Sequence, residues 1–286
     1  MSTKPPVLAG IVGWPIAHSL SPLLHNNWLQ QGKISGFYVP LAVRREDFSE
    51  VIQALRHSGF VGVNVTVPHK EAAFAIADRC DRTSTLAGAS NLLLFGKDCM
   101  EARNTDVAGL KASLREALGE TSIKGRAAVL LGAGGAARAA VLALDAIGVG
   151  TIAILNRSPG RAAALASALG PSTRARLSAH SFSEWGTMGA ATSLLVNATS
   201  AGMKGAGTLN LSLSRLPRTA LVCDLVYNPL ETALLRQARR RGLKAINGLS
   251  MLIHQAAPSF KALFGGAPKV TPAIRRYLEK ALHEFS

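Results

Sequence analysis

The chain has 286 residues, 48% hydrophobic and 17% charged, which is material for one large or two medium domains and excludes general disorder. Its formal charge is +15, yet the basic residues are scattered, the only dense runs are Arg239-Arg240-Arg241 and Arg275-Arg276, and aromatics make up 5%. That pattern argues against nucleic-acid binding, which needs a basic stripe and stacking rings, and fits the steering of small anionic ligands. Cys80, Cys99 and Cys223 form no CxxC pair and are odd in number, as expected of a reduced, cytoplasmic compartment. The N-terminal apolar run is too short for a signal peptide, and the most apolar later stretch, 127–155, is broken by Arg138, Asp145 and glycines, so no membrane span is expected.

In chain order, VLAGIVG (7–13) reads as a buried strand, and HSLSPLLHNNWLQQ (18–31) as a helix opened by serines and a proline. GFYVPLAV is a second strand, and EDFSEVIQALRHSG a helix with apolar positions 48, 51, 52 and 55, closed by Gly59. GVNVTVPHK (62–70) alternates: Val63, Val65 and Val67 should face the core, Asn64 and Thr66 the other side, with Pro68 ending the strand. KEAAFAIADRC follows as a helix and ASNLLLF as a strand; from Asp106, DVAGLKASLREALG is helical. RAAVLLGAGGAARAAVLALDAIG is strand, glycine turn and helix, and TIAILNR is the next strand. SLLVNATSAGM, ALVCDLVYNP and LKAI supply further strands, with ETALLRQARRRG helical before the last. Strands separated by helices imply an α/β chain with a parallel, doubly wound sheet. Residues 1–105, completed by largely helical residues 248–286, form one expected domain, and residues 106–247 a Rossmann-type second one.

Gly132-Ala133-Gly134-Gly135-Ala136-Ala137 fits G-x-G-x-x-A, and it follows an apolar strand and opens a helix, the context a dinucleotide pyrophosphate requires. An NAD site carries Asp or Glu about 20 residues further on, for the ribose 2'-hydroxyl. Here Asn156-Arg157-Ser158 stands there, with Arg161 close behind. Guanidiniums and a hydroxyl bind a 2'-phosphate by charge-assisted hydrogen bonds, which favours NADP(H). In the first domain, Ser19 and Ser21 sit at a loop-to-helix junction as helix caps or as receptors for a carboxylate. Asn64, Thr66, Lys70, Asn91 and Asp106 form a polar set at strand ends and loops, where open α/β sheets place ligands.

The segments "IAHSLSP", "GVNVTVPHK", "AGASN", "NTD", "GAGGAARA", "NRSPGRA", "NATSAGM", "DLVYNPLET" and "GLSMLIHQA" occur in one order across nearly the whole chain. In these the sequence resembles the shikimate dehydrogenase family. The resemblance implies an N-terminal substrate domain, a Rossmann NADP-binding domain, and reversible reduction of 3-dehydroshikimate to shikimate by NADPH in aromatic amino acid (chorismate) biosynthesis. It implies Lys70 and Asp106 as the catalytic pair, Ser19, Ser21 and Tyr227 at the substrate carboxylate, and Asn64, Thr66, Asn91, Asp106 and Gln255 at the ring hydroxyls. For the cofactor it implies Gly132, Ala133, Gly134, Gly135 and Ala136 at the pyrophosphate and Asn156, Arg157, Ser158 and Arg161 at the 2'-phosphate. Thr199, Leu225, Gly248 and Met251 complete that implied cofactor site. No metal is expected, and the assembly is a monomer or homodimer.

The chemistry suits these roles: hydride delivery to a ketone builds negative charge on oxygen, which a nearby ammonium stabilises and protonates. Three departures bear on substrate preference: Ser90 and Leu92 flank Asn91 where the family commonly has "GAVNT", Val107 follows "NTD" where glycine is frequent, and Asn247 precedes "GLSMLIHQA". The Ser-x-Ser pair and the Asn-Arg-Ser loop favour shikimate with NADP over the alternative of a quinate or aminoshikimate enzyme. A methylenetetrahydrofolate dehydrogenase would leave the serines and the polar strand without a task, and a non-catalytic NADPH sensor would be expected to lose Lys70 or Asp106.

Overall fold

The structure, a computed structural model, describes residues 5–284. It divides into two compact units, one running to Asp106 with Leu252–Leu278, the other comprising Val107–Met251 and the residues from Glu279.

The first unit contains β1 (Val7–Gly13), α1 (Ser21–Gln31), β2 (Gly36–Ala42), α2 (Phe48–His57), β3 (Phe60–Val65), α3 (Lys70–Ile76), β4 (Arg79–Cys80), α4 (Arg82–Ala87), β5 (Leu92–Phe95) and β6 (Met100–Arg103). The sheet order is β2-β1-β3-β5-β6-β4. β2, β1 and β3 run parallel, whereas β5 is antiparallel to both β3 and β6. The mixed sheet arises because β5 and β6 are joined by a hairpin, closed by Gly96 N–H to Cys99 C=O at 2.9 Å, and a hairpin makes an antiparallel pair. β4, α4 and β6 carry too few residues for a readable period. α4 is fixed by its ends: the Asp81 carboxylate accepts from Ser84 N–H at 2.6 Å, and Gly88 closes it in the left-handed region.

The valine alternation holds only in part. Val63 and Val65 join Val12, Phe48, Ile52 and Met100 in a buried cluster, but β3 stops at Val65 and Val67 is 58% exposed. Thr66 N–H still reaches Val12 C=O, after which the chain turns, with His69 N–H bonded to Thr66 C=O at 2.9 Å. Off the pleat, period-two alternation no longer assigns faces. Pro68 therefore lies in that turn, joined to Val67 by a cis peptide, and does not itself end the strand. The helix expected over KEAAFAIADRC likewise ends at Ile76, and Arg79–Cys80 pair with β6 instead.

The second unit holds α5 (Asp106–Leu118), β7 (Ala127–Leu131), α6 (Gly135–Ala146), β8 (Thr151–Leu155), α7 (Pro159–Leu169), β9 (Arg176–His180), α8 (Trp185–Met188), β10 (Thr192–Asn197), β11 (Leu221–Asp224), α9 (Ala233–Arg240) and β12 (Lys244–Ile246). Two helices close the chain, α10 (Leu249–Phe264) and α11 (Pro272–Glu284), and residues 252–278 of them return to the first unit. Every strand pair in the second sheet is parallel, in the order β12-β11-β10-β7-β8-β9, as the sequence leads one to expect. This is the Rossmann order 3-2-1-4-5-6, with its switch point between β7 and β10. The apolar faces of α6 and α7 pack on β7, β8 and β10 in one buried cluster, and Leu131, Leu155, Leu195 and Val222 line a second. A sheet buried on both faces needs near-continuous apolar strands, and AAVLL and TIAIL supply them.

Candidate functional site

In the first unit, Lys70 is the first residue of α3, just past the turn that ends the polar strand. Its Nζ lies 2.5 Å from Asp106 Oδ2, and the two side chains are only 12% and 5% exposed. His69 anchors that turn: its Nε2 lies 2.8 Å from Val43 C=O and its ring stacks on Phe48 at 4.5 Å. Burial lowers the pKa of His69, so it holds this position as a neutral ring.

Asp106 opens α5, where the helix dipole favours a carboxylate. Its N–H bonds to Asn104 Oδ1 at 3.0 Å, while Asn104 Nδ2 donates to Ala89 C=O at 2.8 Å. Asn91 fixes the other carboxylate oxygen: its Nδ2 is 3.0 Å from Asp106 Oδ1, 2.8 Å from Thr105 Oγ1 and 3.1 Å from Gln255 Oε1. The amide has one possible orientation, because Asn91 Oδ1 accepts from Thr105 N–H at 2.7 Å. Asp106 thus takes Asn91 on one oxygen and Lys70 on the other, which presents a fixed ammonium–carboxylate pair.

Asn64, expected to face a substrate ring, is 5% exposed with its polar atoms engaged by protein. Its Nδ2 donates to Asn91 C=O at 2.9 Å and to Ser259 Oγ at 3.0 Å, and its Oδ1 accepts from Tyr38 Oη–H at 2.9 Å. Thr66, half-buried, has no side-chain partner among the described residues. Neither serine caps α1 by its side chain: Leu20 occupies the cap position, Ser21 is the first helical residue, and Ser19 Oγ accepts from Ser21 N–H at 3.3 Å. Hydrogen bonds join Lys70, Asp106, Asn91, Asn64 and Gln255 into one network; the serines and Thr66 stand outside it. Tyr38, Asn104, Thr105 and Ser259 belong to the network without having been singled out in the sequence. Asn104 and Thr105 were signalled by "NTD", whereas Tyr38 and Ser259 read as ordinary positions of β2 and α10.

In the second unit, β7 delivers Gly132 into a turn at φ +107°, where a Cβ would stand 3.0 Å from Thr199 Cγ2 and 3.2 Å from the Ala198 carbonyl. Gly134 is the extended N-cap of α6 with no side-chain cap, and a Cβ there meets nothing within 4 Å. The first amides of α6 therefore face open space, a cradle fitted to a pyrophosphate. Arg157, Ser158 and Arg161 are exposed at the end of β8, and no ion pair engages either guanidinium among the described residues. Asn156 shapes the loop by donating from Nδ2 to Ser158 C=O at 3.0 Å.

Below the switch point lies a buried network with no candidate assigned from sequence. Asp224, 0% exposed, accepts from Asn197 Nδ2 at 2.8 Å, Val226 N–H at 3.1 Å and Thr232 Oγ1 at 2.6 Å. Burial pushes the Asp224 pKa up, and these three donors oppose the rise. Asn197 Oδ1 in turn accepts from Thr199 N–H and its hydroxyl, and Thr232 caps α9. The network ties down the loops bearing Thr199, Leu225 and Tyr227. Gly248 completes this corner, for a Cβ there would fall 2.0 Å from Leu225 C=O. Met251, 8% exposed, packs with the main buried cluster of this unit. Among the described residues no group of three or more His, Cys, Asp or Glu is arranged to hold a metal, and no helix is long and apolar enough to cross a membrane.

Residues 11–93 match the family description "Shikimate dehydrogenase substrate binding domain", and residues 114–208 match "Shikimate / quinate 5-dehydrogenase". A relative from Methylobacterium radiotolerans named shikimate dehydrogenase (NADP(+)) is 48% identical over 273 residues, covering 93% of this chain and 94% of its own. The crystal structure of shikimate 5-dehydrogenase from Thermus thermophilus, in complex with NADP(H) and shikimate, superposes with a TM-score of 0.81 at 34% identity, covering 96% of this chain and 99% of that one. Quinate dehydrogenase from Corynebacterium glutamicum, in complex with NAD, superposes at 0.87 with 28% identity, covering 97% of this chain and 100% of that one.

Proposed function

The chain belongs to the shikimate dehydrogenase family, and we propose that it catalyses the reversible, NADP-dependent interconversion of 3-dehydroshikimate and shikimate. The observation that carries this reading is the Lys70–Asp106 pair at 2.5 Å, locked by Asn91 and shielded from water. NADPH, when bound, supplies a hydride to the ketone carbon. Lys70 stands where its ammonium stabilises the oxyanion and transfers the proton, and Asp106 orients that ammonium and a neighbouring substrate hydroxyl. Asn91, Gln255 and Thr66 hold ring hydroxyls, and Ser19 and Ser21 receive the carboxylate. A polar site of this kind rejects analogues that leave its buried groups unpaired.

The open amides of α6 and the unpaired Arg157 and Arg161 support NADP(H) as the dinucleotide, with Asn156 and Ser158 shaping its 2'-phosphate loop. The three free cysteines support a cytoplasmic setting, and the enzyme acts as a monomer or homodimer. The test is NADP+ reduction with shikimate, quinate and aminoshikimate in parallel, repeated with NAD+. Shikimate with NADP+ should give the highest kcat/KM; no turnover of that pair, or preference for quinate with NAD+, overturns the reading.

A further inference from the structure

We infer that Asp224 is a buried carboxylate without a counter-cation that stabilises the oxidised, cationic nicotinamide over the reduced, neutral one, and so biases the hydride equilibrium of the bound cofactor. The inference rests on the NADP(H) reading above and adds to it which residue tunes the cofactor and in which direction.

With the pyrophosphate at the glycine turn after β7 and the 2'-phosphate at the loop after β8, one half of the parallel sheet is taken. A dinucleotide lies across the carboxyl ends of such a sheet at its switch point, so its nicotinamide falls to the other half, over β10 and β11. Asp224 is the last residue of β11, at that end. The backbone runs on from it into Leu225, whose N–H bonds to Asn197 C=O at 2.9 Å and whose carbonyl leaves Gly248 no room for a Cβ.

Asp224 is fully buried, and all three of its partners donate: Oδ1 accepts from Asn197 Nδ2 and Val226 N–H, and Oδ2 from the Thr232 hydroxyl. Asn197 cannot turn its amide round, because its Oδ1 already takes the N–H and the hydroxyl of Thr199. Thr232 Oγ1 also accepts from Leu235 N–H at 3.3 Å, so a protonated Asp224 would leave the Thr232 hydroxyl proton without an acceptor among the described residues. The ionised carboxylate satisfies every member of the network, and the acid does not. No lysine, arginine or histidine stands against it among the described residues, and α9, which Thr232 caps, supplies only the partial charge of its amino end. Neutral donors thus hold the anion without cancelling it. On hydride transfer to the ketone carbon, with the proton going to the ketone oxygen, the neutral reduced ring becomes a cation, and a fixed anion nearby favours that form.

The test is binding without substrate: calorimetric titration of wild type and Asp224→Asn with NADP+ and, separately, with NADPH. The two dissociation constants and the hydride equilibrium form one thermodynamic cycle, so their ratio reports the bias directly. Asp224→Asn should weaken NADP+ more than NADPH and raise Kd(NADP+)/Kd(NADPH) by about 5- to 30-fold, the size of one partly shielded unit charge. A purely structural Asp224 would move both constants alike, so an unchanged ratio overturns the inference, as does a ratio that falls. If Asp224→Asn does not fold, Asp224→Ser, with an oxygen acceptor and room for water, is read in the same way. A wild type that binds neither form overturns the cofactor reading, whereas one that binds both, with a ratio unmoved by mutation, overturns this inference alone.

Discussion

The two candidate sites solve the binding problem in opposite ways. In the first unit the candidate chemistry lies in side chains that bond to one another: Asp106, Asn91 and Thr105 are buried, Lys70 and Gln255 half-buried, and most of their polar atoms already have partners. In the second unit the groups offered to a ligand are backbone amides at Gly134 and exposed guanidiniums, while the buried polar network of Asn197, Asp224 and Thr232 lies beneath them. The difference follows from the tasks. Proton transfer to a single oxygen needs atoms fixed within a fraction of an ångström. A large polyanion needs an open, electropositive surface and a correctly shaped loop.

The comparison breaks most sharply at Lys70. Lys70→Met should lower kcat by about 10²- to 10⁴-fold, while NADPH binding, measured by fluorescence titration, stays within twofold or so; near-normal turnover removes Lys70 from the chemistry. A graded effect is expected in the second unit, where no single group dominates. Arg157→Ala with Arg161→Ala should reduce the NADP/NAD ratio of kcat/KM by roughly tenfold to a hundredfold, as loss of two solvent-exposed charge-assisted contacts implies. An unchanged ratio moves the 2'-phosphate elsewhere.

Thr232→Val tests the support beneath the cofactor loops. It removes the α9 cap and a donor to Asp224, and should cost about 1–3 kcal/mol in urea unfolding, raising KM for NADP more than for shikimate. Equal changes in both constants would show that the network serves global stability alone.

The last test concerns pH. His25 is buried, stacked on Tyr38 at 4.0 Å, and burial lowers its pKa to about 3. A histidine depressed in the folded state takes up its proton only on unfolding, so its stabilising share is full above the unfolded value of 6.5 and is lost as pH falls toward 3. His69 shifts in the same direction. His25→Phe should flatten the decline of stability across that window by up to about 1.4 kcal/mol per pH unit; an unaltered slope in pH-dependent urea melts assigns the acid loss to other groups.

Much of this could be read from local pattern. The G-x-G-x-x-A turn, the parallel strands around it and the missing acidic residue at Asn156 each depend on a few neighbouring residues, and the structure builds the turn and strands where the spacing puts them. Lys70 and Asp106 stand out in sequence because their segments end strands or open helices. The failures come where period or adjacency ceases to carry information. Alternation points Val67 to the core only if it is extended past the residue at which β3 leaves the pleat. Alternation also tells which residues share a face but not what bonds to them: Tyr38 from β2 and Ser259 from α10 reach Asn64 from elsewhere in the chain.

Residue type over a short span is enough to mark the glycine turn after β7, the basic loop after β8, and the lysine and aspartate. Only the tertiary structure decided which polar side chains are free for a ligand and which hold others in place. That choice depends on partners up to 195 residues apart, as Asn64 and Ser259 are, and on the rule that a buried donor or acceptor must find a mate wherever the fold brings one.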